Sequence, residues 1–232
     1  MLKTAIILAG GLGTRLRDVV SDKPKPMVLI NNRPFLEYQI DYWIEQGISK
    51  FILSVGYLKE LIISHFGSSY KGASIEYVIE SSPLGTGGGL LLAASRLDES
   101  FLVLNGDTFI EVDIKSFYNF HITSKSLWTL ALFRTNDLTR YLTIDISQNG
   151  EILSLKPGKK TSSLANGGVY LIEPNALKRI GYYSGDTVSL ENQLLPSFMS
   201  SGEKLFGQEC SGKFIDIGLP EDYYRAKDVL PK

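Results

Sequence analysis

The sequence predicts an α/β protein with a mixed, mainly parallel sheet flanked by helices. Its first half alternates short runs of Ile, Leu, Val and Phe with helical patterns, which is the element order of a parallel sheet covered by helices. Its 232 residues contain no internal repeat, low-complexity tract or Pro/Ser-rich linker. A single domain is therefore the simplest organisation.

Four apolar runs are predicted to be strands buried on both faces, because they are continuous rather than alternating. They are Ala5–Leu8, Phe51–Val55, Ile75–Ile79 and Phe101–Leu104. Three helices are expected between them, at Phe35–Gln46, Leu58–Phe66 and Thr86–Arg96. Pro34 stands before the first helix, and Gly47 and Gly67 end the first and the second.

The second half of the chain predicts a less regular arrangement. We expect a β-hairpin around Gln148-Asn149-Gly150, because Asn-Gly suits a type I′ turn. The strands predicted in this half are Leu127–Phe133, Leu142–Ile146, Ile152–Leu155, Gly167–Ile172 and Lys213–Ile217. The predicted helices are Pro174–Ile180, Leu190–Ser200 and one that begins at Pro220.

Composition excludes several classes of protein. A net charge of -1 gives no overall basic field, so neither nucleic acid nor a membrane surface is expected as a partner. Cys210 is the sole cysteine, which leaves no disulfide framework or thiolate metal cluster and fits a reducing cytoplasm. The N-terminal apolar run is interrupted by Gly10 and Gly11, too early for a secretory or membrane-spanning segment. We therefore expect a cytoplasmic protein.

A glycine-rich loop follows the first strand. It reads Ala9-Gly10-Gly11-Leu12-Gly13-Thr14-Arg15-Leu16. Glycines let backbone N–H groups converge on phosphate oxygens, and Arg15 can grip a phosphate through two parallel hydrogen bonds. Lys23-Pro24-Lys25-Pro26-Met27 adds two more cations. This pattern predicts a polyphosphate site, although a tight turn that binds nothing would also contain glycines.

The loop differs from two common nucleotide-binding motifs. It lacks the Gly-Lys-Ser/Thr ending of a Walker A loop, and Leu16 stands where the dinucleotide fingerprint has a third small residue. A dinucleotide-binding module is therefore disfavoured.

Three further features follow predicted strands, where open parallel sheets bind ligands. Glycines in the helix start of Glu80–Gly89 cost helix stability, which indicates either a close ligand or close packing. Asn105-Gly106-Asp107 is either an ordinary turn or a metal-binding one. Asp216 lies between two isoleucines, where a carboxylate is expensive to bury unless it meets a cation. Asp107 and Asp216 together would form a Mg²⁺ site.

These motifs resemble those of the sugar-1-phosphate nucleotidylyltransferase family, over essentially the whole chain. The resemblance is carried by Leu8–Leu16, Lys23–Met27, Pro83–Gly88, Asn105–Asp107, Asn166–Tyr170 and Asp216–Gly218. It implies one Rossmann-like domain of the nucleotide-diphospho-sugar transferase type, with a nucleotide-binding half over about 1–110 and a sugar-binding half over about 111–232. Ser189-Leu190-Glu191, Leu195-Pro196 and Phe214–Tyr223 are similar to the branch that acts on D-glycero-α-D-manno-heptose 1-phosphate with GTP.

The resemblance also implies residue roles. Arg15 and Lys25 would be catalytic, Arg15 on the β- and γ-phosphates and Lys25 between the α-phosphate and the sugar phosphate. Asp107 and Asp216 would hold Mg²⁺. The nucleotide-binding residues would be Leu8, Ala9, Gly10, Gly11, Gly13, Thr14, Glu80, Leu84, Gly85, Thr86, Asn105 and Gly106. The sugar-binding residues would be Lys156, Asn166, Gly167 and Glu191.

Three positions depart from the family pattern. Leu155-Lys156-Pro157 stands where the family often has Glu-Lys-Pro, Leu219 where Thr is frequent, and Arg140-Tyr141-Leu142 where many members have Arg-Tyr-Gly.

The implied reaction is attack by a sugar 1-phosphate oxygen on the α-phosphorus of GTP, with loss of pyrophosphate. It needs no general base, because a phosphate with a second pKa of about 6 is largely ionised at neutral pH. His65 and His121 are therefore interpreted as structural.

Several alternatives stay open at this stage. The chain could use mannose 1-phosphate, transfer a uridylyl or thymidylyl group, feed a capsule or a lipopolysaccharide pathway, or be a non-catalytic sugar-nucleotide sensor. Its oligomeric state is open as well. The run Phe117-Tyr118-Asn119-Phe120 fits either the core or a homodimer contact, and we favour the core.

Overall fold

The fold was analysed in a computed structural model that describes residues 2–11, 23–137, 140–157 and 163–231, without the side chains of 142, 156 and 157. The described helices are α1 Phe35–Glu45, α2 Lys59–Phe66, α3 Gly85–Ala94, α4 Ile114–Thr123, α5 Pro174–Leu177, α6 Leu195–Ser200 and α7 Pro220–Val229. A 3₁₀ turn spans Lys25–Met27 and a π-helical turn spans Leu190–Leu194.

The described strands form one large sheet and two small ones. They are β1 Thr4–Leu8, β2 Leu29–Ile30, β3 Arg33–Pro34, β4 Lys50–Val55, β5 Ser69–Tyr70, β6 Ala73–Ile79, β7 Phe101–Asn105, β8 Thr108–Ile110, β9 Trp128–Arg134, β10 Leu142–Ile146, β11 Ile152–Pro157, β12 Leu164–Ile172, β13 Phe206–Glu209 and β14 Phe214–Asp216. The large sheet has the order β11-β10-β12-β7-β1-β4-β6-β5, with β9 on β12 and β13 on β9.

The centre of the large sheet is parallel, as predicted. Strand β1 pairs in parallel with β4 and β7, and β4 pairs in parallel with β6. Ala5, Ile6 and Ile7 of β1 are all fully buried, because helices cover both faces of the sheet. The four strands predicted in the first half are confirmed, with small differences at their ends.

The second half of the chain joins the same sheet in antiparallel fashion. Strand β12 pairs antiparallel with β7 and β9, and β10 pairs antiparallel with β11 as the predicted hairpin. The predicted type I′ turn is wrong, because Gly150 has a positive φ of 82° whereas Asn149 does not. The Ser147 side chain accepts from the backbone N–H of Glu151 at 3.0 Å, which favours a longer loop.

Three other predictions need correction. The strand predicted at Lys213–Ile217 is β14, which pairs with β8 in a small sheet of its own rather than with the large sheet. The helix predicted at Pro174–Ile180 ends at Leu177. The helix predicted at Leu190–Ser200 begins as a π turn, since Pro196 has no N–H for a regular bond and the Leu194 N–H bonds to Ser189 O at 3.1 Å.

Two apolar layers lie on opposite faces of the large sheet. Ala5 and Ile7 belong to the layer that contains α1, and Ile6 belongs to the layer that contains α3 and α6. Phe117 is buried in the first layer, as favoured from the sequence. In the part of the chain that the structure describes, no helix is long and apolar enough to cross a lipid bilayer.

A third, smaller apolar cluster supports the side of the molecule near β8 and β14. It combines Val28 and Ile30 with Phe109, Ile215 and Ala226. The cluster therefore ties the segment after Lys25 and helix α7 to the small sheet that ends at Asp216.

Candidate active site

A cleft of about 670 Å³ opens at the carboxyl ends of the parallel strands. Its lining residues are Leu8, Ala9, Gly10, Gly11, Lys25, Pro26, Glu80, Pro83, Gly85, Thr86, Gly89, Asn105, Gly106, Asp107, Glu191 and Gly218. The segments that follow β1, β6 and β7 meet there because parallel strands end at the same edge of a sheet. The predicted clustering of the glycine loop, the Glu80 loop and Asp107 is thus confirmed.

The glycine loop lies close to the neighbouring strand ends. The N–H of Ala9 donates to Ser54 O at 2.8 Å, and the N–H of Gly106 donates to Leu8 O at 3.0 Å. A Cβ at Gly10 would collide with the Glu80 carboxylate, so any side chain there would displace Glu80 from its position. Gly13, Thr14 and Arg15 lie outside the described residues, and their roles stay predictions.

Glu80 is held firmly at the wall of the cleft. Its Oε1 accepts a hydrogen bond from Ser54 Oγ at 3.0 Å, and its Oε2 accepts one from the N–H of Leu84 at 3.1 Å. A carboxylate has about four lone-pair sites, so these contacts leave capacity for a ligand that donates two hydrogen bonds.

The glycines at the start of α3 are explained by two different kinds of contact. The N–H groups of Gly87 and Gly88 both donate to Val188 O, at 2.8 and 3.1 Å, so this part of the helix start contacts protein rather than ligand. Gly85, with φ of 75°, lines the cleft together with Thr86. The side chain of Leu84 is buried and is not among the lining residues, so its predicted contact with the nucleotide stays a prediction.

A cation and a carboxylate line one corner of the cleft, and a second carboxylate lies behind them. Lys25 Nζ donates to Asp107 Oδ2 at 2.5 Å. Asp216 Oδ1 accepts from the N–H of Gly218 at 2.7 Å, and a Cβ at Gly218 would lie 2.9 Å from Lys25 Nζ. The N–H of Ile217 donates to Asp107 O at 3.0 Å, which joins the two segments. The structure therefore brings the two predicted metal ligands together.

This corner has the chemistry of a divalent-cation site. Burial, and then the charge of Asp107, raise the pKa of Asp216, so a positive charge there would stabilise the carboxylate. Both side chains offer the hard oxygen atoms that Mg²⁺ prefers. Within the described residues no group of three or more His, Cys, Asp or Glu side chains could hold a metal, so a bound ion would also need oxygen atoms from the substrates.

Glu191 accepts hydrogen bonds from both sides of the cleft. Its donors are Thr86 Oγ1 at 3.0 Å, Asn105 Nδ2 at 3.3 Å and Tyr170 Oη at 3.2 Å. Asn166 Nδ2 in turn donates to Tyr170 Oη at 2.7 Å. These contacts connect the predicted nucleotide residues with the predicted sugar residues.

Two members of this arrangement were missed from the sequence. Tyr170 is fully buried, which raises the pKa of its phenol well above the ordinary range, and its hydroxyl must find partners. Gln39 of α1 is also buried and donates to Asn105 O at 2.8 Å, so it supports the turn that carries Asp107. In both cases the sequence did contain a signal, namely a polar group on an otherwise apolar face of a helix or strand.

Some predicted residues lie behind the cleft rather than in its lining. Asn166, Gly167 and Asp216 are not lining residues. Gly167 is packed against Ile110, where a Cβ would lie 2.8 Å from the Ile110 side chain. Lys156 belongs to β11, but its side chain lies outside the description. These assignments stay predictions.

The two histidines do not line the cleft either. His121 is buried and contacts Thr129 Oγ1 at 2.7 Å and Glu173 Oε1 at 3.1 Å. These contacts lie at the edge of the sheet opposite the cleft. His65 contacts Glu37 Oε1 at 2.6 Å near the surface. These contacts support the structural interpretation of both side chains.

Comparison with known proteins gives consistent results. The model of the family described as Nucleotidyl transferase matches residues 4–232. The chain is 40% identical over 233 aligned residues to a D-glycero-alpha-D-manno-heptose 1-phosphate guanylyltransferase from Aneurinibacillus thermoaerophilus, which covers 97% of each chain. It is 38% identical to a protein of the same name from Campylobacter jejuni, over 95% of this chain and 96% of that one.

A solved structure is similar over nearly the whole fold. The crystal structure of HddC from Yersinia pseudotuberculosis superposes with a TM-score of 0.84 at 33% identity, covering 98% of this chain and 99% of that one. The same protein complexed with GMP-PN superposes with a TM-score of 0.83.

Proposed function

Because this chain belongs to the nucleotidyl transferase family, we propose that it transfers GMP from GTP to D-glycero-α-D-manno-heptose 1-phosphate and releases pyrophosphate. The observation that carries the proposal is the cleft in which Gly10, Gly11, Lys25 and Asp107 lie together at the sheet edge, with Asp216 behind Asp107. The two relatives with the corresponding name support the choice of substrates.

Glu80 supports guanine as the base. Guanine presents two adjacent donors, N1–H and the N2 amino group, on its Watson–Crick edge, and a carboxylate is an acceptor that can meet both. Uracil and thymine flank their single N3–H with carbonyl oxygens, which a carboxylate repels. Since Ser54 and Leu84 hold the two oxygens of Glu80 in place, the acceptor pair is preorganised at the cleft wall.

In the proposed reaction the side chains of this protein neutralise charge and do not transfer protons. Lys25 lines the cleft and is assigned to neutralise a phosphate oxygen at the reacting centre, and Arg15 is assigned to the phosphates that leave. Mg²⁺, when held by Asp107 and Asp216 together with phosphate oxygens, supplies further positive charge. The phosphate nucleophile is already ionised, so no side chain needs to remove a proton.

The sugar is assigned to the side of the cleft that contains Glu191. A carboxylate that is already oriented by Thr86, Asn105 and Tyr170 can accept hydrogen bonds from sugar hydroxyls in one defined geometry. Asn166, Gly167 and Lys156 are assigned to this side as well.

A pyrophosphate-release assay tests the proposal. Four nucleoside triphosphates are crossed with the 1-phosphates of heptose, mannose and glucose, and kcat/KM is measured for each pair. We expect GTP with the heptose 1-phosphate to give the largest value. A larger value for UTP or dTTP would contradict the guanylyl assignment, and a larger value for mannose 1-phosphate would contradict the sugar. GDP-heptose binding without turnover of any pair would identify a sensor.

Glu80→Gln sharpens the base assignment. A glutamine keeps one acceptor but places a donor opposite one of the guanine donors, so kcat/KM for GTP should fall about 10- to 100-fold. The value for UTP should stay the same or rise. An equal fall for both nucleotides would remove Glu80 from base selection.

Three further assignments belong to the same proposal. The product would serve as a precursor of a capsule or of lipopolysaccharide, the enzyme would act in the cytoplasm, and a homodimer is the oligomeric state to be tested. Light scattering of the purified protein tests the dimer directly.

A further inference from the structure

Arg140 contacts the buried carboxylate of Asp216 from behind the cleft. Its Nη2 donates to Asp216 Oδ2 and to Asp216 O, each at 3.3 Å. Arg140 is not a lining residue of the cleft, and the motif in which it lies departs from the family pattern at Leu142. The proposed reaction gives Arg140 no direct role.

The same guanidinium also pairs with Asp222. Arg140 Nη1 contacts Asp222 Oδ2, and Arg225 Nη2 contacts Asp222 Oδ1 at 2.9 Å. Asp222 lies in the first turn of α7 and is 6% exposed. Arg140 is thus anchored by a buried carboxylate while it reaches toward Asp216.

An aromatic ring also packs against Arg140. Its guanidinium lies 4.9 Å from the centroid of the Tyr141 ring, and Tyr141 packs edge-on against Phe133 and Phe214. A planar guanidinium with three such neighbours has one orientation, which a lysine ammonium could not reproduce.

Asp216 ends a short strand, so the orientation of its side chain depends on individual hydrogen bonds. Strand β14 has three residues and pairs with β8 rather than with the large sheet. One carboxylate oxygen is oriented by the N–H of Gly218, and the other by Arg140. Without Arg140, Asp216 Oδ2 would lose the donor that orients it, and the Gly218 contact would hold Oδ1 alone.

We propose that Arg140 is a positioning residue that acts through Asp216, with Asp222 as its anchor. It holds the Asp216 carboxylate in the orientation that faces Lys25 and Asp107, and so prepares the cation site before substrates bind. The proposal rests on the proposed function, since it takes Asp216 as a ligand of the divalent cation.

A role through charge and a role through orientation predict opposite changes in cation affinity when Arg140 is removed. If the guanidinium acted through its charge alone, its loss would remove a positive charge that repels the cation, and cation binding would become tighter. If it acts by orienting the carboxylate, cation binding becomes weaker. Replacing a residue that orients a metal ligand typically costs about 10- to 100-fold in affinity or activity.

The experiment compares Arg140→Met with Arg140→Lys and wild type. Mn²⁺ is titrated by electron paramagnetic resonance in the presence of α,β-methylene GTP, which cannot react, and kcat is measured separately over a range of Mg²⁺ concentrations. We expect about 10-fold or weaker Mn²⁺ binding and a higher half-saturating Mg²⁺ for Arg140→Met. Arg140→Lys keeps the charge but loses the planar fork, so it should also bind Mn²⁺ more weakly than wild type.

Arg134→Met is the matched control. Arg134 also pairs with a carboxylate, Glu209, but its side chain is 59% exposed and has no contact with Asp216. Its Mn²⁺ affinity should equal that of wild type. If thermal unfolding shows that Arg140→Met does not fold, Mn²⁺ binding by Arg140→Lys tests the proposal instead. Unchanged or tighter Mn²⁺ binding in a folded Arg140 variant overturns the proposal.

Asp222→Asn tests the anchor, and Asp216→Asn separates the two proposals. Asp222→Asn should weaken Mn²⁺ binding less than Arg140→Met, and the double variant should be close to Arg140→Met alone, because both changes act on one contact. Fully additive effects would contradict the anchoring role. If Asp216→Asn itself leaves activity and Mn²⁺ binding intact, the proposed metal site fails; if it abolishes them while Arg140→Met does not, the positioning role alone fails.

Discussion

The two sides of the cleft are built in different ways. The nucleotide side consists of backbone segments at the ends of β1, β6 and β7, whose positions follow from the parallel pairing of the large sheet. The side with Asp216 and Glu191 consists of side chains from a three-residue strand, a π turn and β12, each held by individual hydrogen bonds. The difference suggests that the first side depends on close backbone packing and the second on individual hydrogen bonds.

The largest expected effect comes from the corner where both sides meet. Lys25→Ala or Asp107→Asn should lower kcat by at least ~10²-fold, because each removes one charged contact prepared for the transition state. Pyrophosphate release by folded protein is the measurement. Lys50→Ala, which breaks a surface ion pair with Glu76, is the control and should match wild type. Unchanged rates in either folded variant would remove that residue from the reaction.

A change on the nucleotide side should act through packing. Gly10→Ala would drive a methyl group into the Glu80 carboxylate, so we expect KM for GTP to rise about 10-fold and stability to fall by about 1–3 kcal/mol. Kinetics and urea unfolding check these values. In Gly10→Ala/Glu80→Ala the methyl group has room, so stability should recover while base selection is lost. No recovery in the double variant would show that the cost does not come from this collision.

A change on the other side should act through one hydrogen bond. Tyr170→Phe leaves Glu191 and Asn166 without their shared hydroxyl, so KM for the sugar 1-phosphate should rise several-fold while KM for GTP changes little. The free energy of unfolding should fall by about 1–3 kcal/mol. Tyr77→Phe removes a hydroxyl that bonds to Gly67 O outside the cleft, and it should leave both KM values unchanged. Equal rises of both KM values in Tyr170→Phe would contradict the division between the two sides.

The smallest expected effect is on the pH dependence of stability. Burial lowers the pKa of His121 in the folded protein despite its contact with Glu173. Folding therefore favours the neutral ring, and stability is lost as the pH falls below the unfolded pKa of about 6.5 toward the lower folded value. In urea unfolding at pH 7.5 and 5.5, His121→Gln should lose less stability than wild type over this interval. An equal loss would assign the acid sensitivity to other groups.

The elements of the first half could be predicted because their signals are local. An uninterrupted apolar run such as Phe51–Val55 indicates a buried strand wherever it lies, and Gly67 ends the second helix as expected. The secondary-structure prediction failed where contacts with other parts of the fold, or with a particular side chain, decide the local structure. Lys213–Ile217 has the composition of a sheet strand, but its partner β8 belongs to a separate small sheet. The Asn149-Gly150 pair occupies a longer loop because the Ser147 side chain bonds to the backbone of Glu151.

The candidate site, like the fold, was predictable where its signals are local in the sequence. Gly10, Glu80 and Asp107 each directly follow or end a predictable strand, so their meeting at one sheet edge could be expected. Gln39, Tyr170 and Arg140 could not be assigned this way. Gln39 and Arg140 lie 66 and 76 positions from the residues that they support, and Tyr170 lies 21 positions from Glu191, so the fold was needed to identify each partner.

The sequence by itself determined the parallel sheet, the position of the cleft and the family, since apolar runs, glycine loops and motif order are properties of neighbouring residues. The tertiary structure decided how the ionisable groups are paired: Lys25 with Asp107, Arg140 with Asp216 and Asp222, and Glu191 with Tyr170. The physical reason is that a buried charge is stable only with a partner, and partners from distant segments are selected when the chain packs.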